Sequence, residues 1–375
     1  MCRPNRVNTY IRFPIVSLLG EGGMTKVSHS RELLLHMGRL YDEGRREYAC
    51  RGGNPGEVAE WQARARPRLR ELIGLDRIAE TNDDHRVRVR LDEGEVVDGY
   101  LRQKGWMRSE PEIEISFWML RPLDGGPHPL GIFPHGHSKY GMNPYAGIAR
   151  DEEHRLRIET QDRDVAVQAV KRGFVAIAPN TRGFQPASIP DLKDRHGGRD
   201  CRAQLMHCLL AGRTPIGERV WDMMNLLDWA EGLRDVDTSH VLVMGNSGGG
   251  VVTIYTAACD ERVTVAVPSC SFCTYVGANG IIHHCDCNAV PGILRFGGFH
   301  DVAGLIAPRD LCIVNGREDT LFPVQEVDRA VQGLSRIYDS AGAKERFVHR
   351  YGPGGHRFYS QLMWPFIESA MGKES

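Results

Sequence analysis

Apolar residues follow two rhythms along this chain. Over 30–41 they recur at helical spacing, and they do so again over 57–75. In the second stretch Val58, Trp61, Leu69, Leu72 and Ile73 share one face opposite Arg and Glu. This predicts two helices divided by the punctuation Gly52-Gly53-Asn54-Pro55, with Pro67 kinking or splitting the second. The period then shortens to two. Val87–Leu91 alternates apolar residues with arginine and reads as a half-buried strand, and 100–102 and 113–120 continue an antiparallel opening. From residue 130 onward the runs become short and mostly apolar, at 130–133, 174–178, 241–244, 263–267, 311–315 and 347–351. Helical stretches at 163–171, 216–233, 251–258, 324–340 and 359–371 lie between them. Short buried strands alternating with helices predict a mainly parallel central sheet flanked by helices, an α/β fold. The expected organisation is an N-terminal extension and helical arm over 1–80 and one α/β domain over 81–375.

Charge narrows the partners. The 47 basic and 48 acidic residues are interspersed and give a formal net charge of −1. No basic field is present to hold nucleic acid or an anionic membrane, and no apolar run reaches the length of a membrane span. The apolar stretch 13–19 follows Arg3, Arg6 and Arg12, but it is short, contains Pro14 and lacks a small-residue cleavage site. The expectation is therefore a cytoplasmic rather than a secreted protein, with Met24 as an alternative start. The ten cysteines are irregularly spaced in a chain too long to need disulfide staples, and they read as reduced, partly buried thiols.

The candidate chemistry centres on Val241–Gly250. A buried strand runs into Gly245-Asn246-Ser247-Gly248-Gly249, and a helical pattern follows. Strand, G-x-S-x-G and helix together define a nucleophile elbow, with the Ser247 hydroxyl held at a strained turn beside a helix N-terminus. A serine hydroxyl needs a base, and the base needs an orienting carboxylate. Two downstream loops at the carboxyl ends of strands supply them. One reads Gly316-Arg317-Glu318-Asp319, which makes Asp319 the orienter, with Glu318 as the competing acid. The other reads Gly352-Pro353-Gly354-Gly355-His356, which makes His356 the base. His349 falls within the last strand and reads as structural. The oxyanion needs two donors: the N–H of Gly248, and the N–H of His137 in the loop Phe133-Pro134-His135-Gly136-His137. The run His283-His284-Cys285-Asp286-Cys287 invites a metal reading. Adjacent residues on one short loop seldom close a tetrahedron, however, and no paired C-x-x-C half is evident. The expectation is no metal and no cofactor.

Together the elbow, the His-Gly loop, the Gly-Arg-Glu-Asp-Thr-Leu-Phe-Pro stretch and the Gly-Gly-His stretch resemble the α/β-hydrolase superfamily over about residues 85–375. More narrowly the chain is similar to the acetyl xylan esterase-like and dienelactone hydrolase-like group. That similarity is carried by Arg219-Val-Trp-Asp222, Val236-Asp237, His284-Cys285-Asp-Cys287, Pro291-Gly292, Leu305-Ile-Ala-Pro308 and the helix around Trp61. The resemblance implies ester hydrolysis through an acyl-enzyme without a cofactor. Two positions depart from it. Asn180-Thr-Arg-Gly183 stands where many relatives have Asp before Arg-Gly, and Ser247 stands where dienelactone hydrolases carry Cys. The expected substrate is a small-molecule or carbohydrate ester with a short acyl group, acetyl above all, and the oligomeric state is left open. This expectation rests on the polar residues of 269–300 (Ser271, Thr274, Asn279, His283, His284, Asp286, Asn288), read as overhanging the site where they can bond sugar hydroxyls. A serine peptidase of prolyl-oligopeptidase type and a non-catalytic binding module on the same scaffold are the alternatives. The missing propeller-like repeat region counts against the first, and the complete set of Ser, Asp and His against the second.

Overall fold

The computed structural model describes residues 46–184, 199–277, 280–281 and 284–372, together with His36 and Leu40. The helix expected over 30–41 lies outside the described residues apart from those two, whose backbone is helical. Helix α1 (Pro55–Ile73) opens on a capping box. The Asn54 side chain accepts from the Glu57 N–H while Glu57 reaches back to the Asn54 N–H. It continues through Pro67 as one helix and closes at Gly74, in the left-handed region, before α2 (Leu75–Glu80). The expected split at Pro67 does not occur, because residues on both sides of it, Trp61 and Ala65 before and Leu69 and Ile73 after, are buried in the main core.

Strands β1 (Arg88–Leu91), β2 (Glu95–Val97), β3 (Tyr100–Glu110) and β4 (Ile113–Pro122) form the antiparallel edge. β4 pairs antiparallel with β6 (Val175–Pro179). From there β6, β5 (His128–Ile132), β7 (Val236–Asn246), β8 (Val265–Ser269), β11 (Asp310–Gly316) and β12 (Phe347–Gly352) lie parallel in that order. Parallel neighbours need crossovers, and helices supply them on both faces: α4 (Val165–Val170), α6 (Pro215–Ala230), α7 (Gly248–Cys259) and α10 (Val324–Ser340), while α11 (Ser360–Ala370) follows the last strand and covers the sheet. A two-stranded hairpin, β9 (Val276–Gly277) and β10 (Gly280–Ile281), stands apart from the main sheet.

Two apolar layers result, one on each side of the sheet. The larger includes the inner faces of α1, α6 and α7, and the smaller those of α4 and α11. The arm helix is bonded to the domain as well as packed on it. Gln62 donates to the carbonyls of Gly304 (3.2 Å) and Ala307 (2.6 Å), and Arg66 to those of Ala258 (2.9 Å) and Leu305 (2.8 Å). These include carbonyls at helix ends, which have no partner within their own helix. Helices α3 (Glu152–Thr160) and α5 (Asp200–Leu210) have no counterpart in the sequence pattern. Among the described residues no helix is long and apolar enough to cross a membrane.

Candidate active site

β7 ends at Asn246, α7 begins at Gly248, and Ser247 between them has φ 58° and ψ −123°. A non-glycine residue held there is strained, and such strain persists only where the surroundings enforce it. The enforcement is a close approach of three backbones. A Cβ on Gly249 would overlap the Pro134 carbonyl, so α7 can start beneath the His-Gly loop only with glycine at that position. The Ser247 N–H donates to the carbonyl of Ser269 at the end of β8 (2.8 Å).

The acid and base come together as the sequence predicts. His356 Nδ1 lies 2.7 Å from Asp319 Oδ2, and the Asp319 side chain is fully buried. The other Asp319 oxygen accepts the Leu321 N–H at 3.0 Å. Glu318 is exposed, so the competing carboxylate points to solvent rather than to the imidazole. An ionised carboxylate only accepts, so the pair fixes the proton on Nδ1 and leaves Nε2 of His356 as an acceptor. Phe322 stacks on the His356 ring (centroids 6.0 Å apart, planes 17°). Ser269, not singled out in the sequence, joins the two halves of the site. Its carbonyl holds the Ser247 amide, and its hydroxyl donates to the carbonyl of Arg357 (3.2 Å), the residue after His356. His349 lies in β12, 3.3 Å from Asn315 Oδ1. Burial pushes its pKa down to about 4, as suits a structural ring.

The His-Gly loop packs directly on the elbow. A Cβ built on Gly136 would stand 2.8 Å from the Asn246 carbonyl and 3.0 Å from the Gly248 nitrogen. His135 is buried and fixes the loop. Its Nε2 accepts the Thr181 N–H (3.0 Å), which leaves the proton on Nδ1 to donate to the Gly136 carbonyl (2.7 Å). Burial drives its pKa down to about 4, so the ring is neutral at physiological pH. Phe184 packs at a tilt against His137 (centroids 4.2 Å apart, planes 49°) and comes within 3.1 Å of a Cβ placed on Gly248. In the Asn-Thr-Arg-Gly segment, Asn180 accepts the Met142 N–H (3.2 Å) and donates to Ser116 Oγ (2.7 Å). Buried Arg182 meets Asp222 of α6 (Nε to Oδ2, 3.0 Å) and Glu110 of β3. The two arginines Arg182 and Arg213 hold the Glu110 carboxyl down at about 2 despite its burial.

The segment after β8 departs from expectation. Ser271, Thr274 and Asn288 are buried rather than presented to a ligand. Thr274 donates to Glu326 (2.8 Å), and Asn288 accepts from Arg219 (3.3 Å). Asp286 pairs with Arg202, and His284 sits among Tyr275, Phe299 and Phe322. Asn279 and His283 lie outside the described residues. Thr274, Asp286 and Asn288 spend their polar groups on internal bonds, and the buried Ser271 hydroxyl has no partner among the described residues, so the polar composition of this segment is no evidence for sugar recognition.

Among solved structures the chain is similar to a protein from Bacteroides fragilis NCTC 9343 described as a "putative acetyl xylan esterase (BF1801)". The TM-score is 0.69 at 18% identity, over 92% of this chain and 95% of that one. The fold is that of the α/β-hydrolases. The methylesterase BT1017 (TM-score 0.65, 19% identity, 91% of this chain, 68% of that one) shares it. So does a glucuronoyl esterase from Solibacter usitatus (TM-score 0.63, 13% identity, 88% of this chain, 97% of that one). By sequence the chain is 28% identical over 234 residues to the "Putative hydrolase YtaP" of Bacillus subtilis (strain 168), covering 62% of this chain and 74% of that protein. No protein-family model matches the chain.

Proposed function

We propose that this α/β-hydrolase-fold protein is a serine carboxylic-ester hydrolase working through Ser247, His356 and Asp319. The observation that carries this reading is the 2.7 Å pair between His356 Nδ1 and a wholly buried Asp319 carboxylate, tied through Ser269 to the strained Ser247 turn. With its proton held on Nδ1, His356 takes the Ser247 proton at Nε2 as Oγ attacks the ester carbonyl. The N–H groups of Gly248 and His137 stabilise the oxyanion, and the imidazolium returns its proton to the leaving alcohol. Water, deprotonated by the same ring, then releases the acid from the acyl-enzyme. The esterases named among the structural relatives support a carbohydrate ester as substrate, and the one described as an acetyl xylan esterase supports an acetyl group.

A fluorophosphonate probe tests the mechanism. We expect stoichiometric labelling at Ser247 and loss of both labelling and turnover in Ser247→Ala. Full activity in that variant overturns it. Comparison of aryl acetate, butyrate and octanoate, with acetate release from acetylated xylan, tests the substrate. Preference for octanoate with no acetate release overturns the carbohydrate reading and leaves the mechanism standing.

A further inference from the structure

The side chain of His137 points to a cluster outside the Ser-His-Asp set. Its Nε2 lies 3.2 Å from Cys285 Sγ and 3.7 Å from Cys287 Sγ. Cys285 and Cys287 sulfurs are 3.7 Å apart, and Cys201 Sγ is 3.7 Å from Cys285 Sγ. All four atoms fall within 4.8 Å of one another. A tetrahedral ion bound at the usual zinc–sulfur and zinc–nitrogen lengths requires ligand edges of about 3.8 Å between sulfurs and about 3.6 Å between sulfur and nitrogen. The cluster has that size. A disulfide requires a separation of about 2.0 Å, so no pair in it is bonded.

A second observation points the same way. Arg219, fully buried in α6, donates from Nη1 to Cys287 Sγ at 3.4 Å. Among the described residues its other hydrogen bonds go to neutral groups: the Arg182 carbonyl, Gln204 Oε1 and Asn288 Oδ1. A guanidinium on sulfur is the contact a coordinated thiolate attracts, because such outer hydrogen bonds offset its charge. The sequence concealed this set. Of the run 283–287, Cys285 and Cys287 take part, but His284 turns away to the Thr274 carbonyl. The other two ligand candidates stand 148 and 84 residues from Cys285.

We propose that His137, Cys201, Cys285 and Cys287 form a closed structural site for a tetrahedral divalent ion, zinc foremost. Three thiolates and an imidazole suit zinc, whereas magnesium and calcium take oxygen ligands. On binding, Zn²⁺ displaces the three thiol protons and coordinates the neutral imidazole. The net charge of the complex is −1, and the Arg219 cation lies against it. Four protein ligands leave no open position, so the ion performs no step of the hydrolysis. It ties the His-Gly loop to the start of α5 and to the segment after β8. Its effect on turnover rests on the esterase reading, since it would steady the loop that offers the His137 N–H. The site itself does not.

The test uses the full chain, expressed with zinc in the medium and purified with reductant and without chelator. We expect one zinc per chain by elemental analysis and a native mass one zinc above the polypeptide. A mercurial thiol reagent should release it in one equivalent, and cobalt in its place should show the intense visible bands of tetrahedral thiolate coordination. Cys201→Ser and Cys285→Ser should lose the ion, while Cys50→Ser keeps it. Metal well below stoichiometry, full retention in both ligand variants, or a native mass two hydrogens low from a disulfide overturns the site. Because the cobalt spectrum and zinc release are read on the unaltered chain, a variant that fails to fold does not shield the proposal. An inactive protein that holds one zinc would sink the esterase reading alone.

Discussion

The Ser247 turn, Asp319 and His356 were legible because each carries a local signature: glycines at a strand–helix junction, or a loop at a strand end. Their exposures follow the chemistry, and they separate two neighbouring carboxylates. Asp319→Asn should lower kcat on an aryl acetate by on the order of 10⁴, in line with other Ser-His-Asp sites. Glu318→Gln should leave kcat near its original value, because that side chain faces water; the reverse ranking would assign the imidazole to Glu318. The partners of buried rings were not legible, since nothing local marks an acceptor 46 residues away such as His135 for the Thr181 amide. Those rings have a pH signature. His135 and His349 have folded pKa values of about 4 against an ordinary 6.5. As pH falls from 6.5 towards 4 the unfolded chain gains protons that the folded chain refuses, so stability drops through that window and is restored above it. Urea unfolding across the window should show that slope, and His349→Gln should flatten it by about one proton. An unchanged slope in the variant would mean that His349 titrates normally.

Among the elements, wholly apolar strands could be read from sequence because a strand covered on both faces admits little else. The helices that were missed are those whose apolarity does not follow their burial. α3 buries only His154 and Ile158, and α5 buries Cys201, Ala203, Gln204, Leu205 and Cys208 while Met206, Leu209 and Leu210 are exposed. Contacts between elements escaped sequence reading altogether, and two of them make predictions. Gly136→Ala puts a methyl against two backbone atoms of the elbow, neither of which can swing aside. The variant should keep its circular dichroism but lose most of kcat, with KM far less affected; an unaltered kcat would separate this loop from oxyanion stabilisation. Arg182 joins the end of β3 to α6 through Glu110 and Asp222, all buried. Arg182→Met leaves the buried Asp222 carboxylate without its cation and takes one of two arginines from Glu110, and it should cost roughly 3–5 kcal/mol. Denaturant titration checks it, and a loss below about 1 kcal/mol would show that Arg213 alone suffices for Glu110.

At the scale of the whole molecule the α/β alternation and the antiparallel edge followed from periodicity, while the depth to which the arm is embedded did not. Leu69 and Ile73 of α1 are completely buried against the sheet layer. A chain starting at residue 81 should therefore be insoluble or lose its cooperative thermal transition; a soluble, cooperative product would show that the domain closes its own core. The same helix sets a clock on biosynthesis. The carbonyls that Gln62 and Arg66 bond lie 192 to 245 residues further along the chain. At ribosomal rates of about 5–20 residues per second, α1 leaves the exit tunnel roughly 10 to 50 s before the surface it must cover exists. Through that interval Trp61, Leu69 and Ile73 form an apolar stripe on a nascent chain that has nothing of its own to cover it.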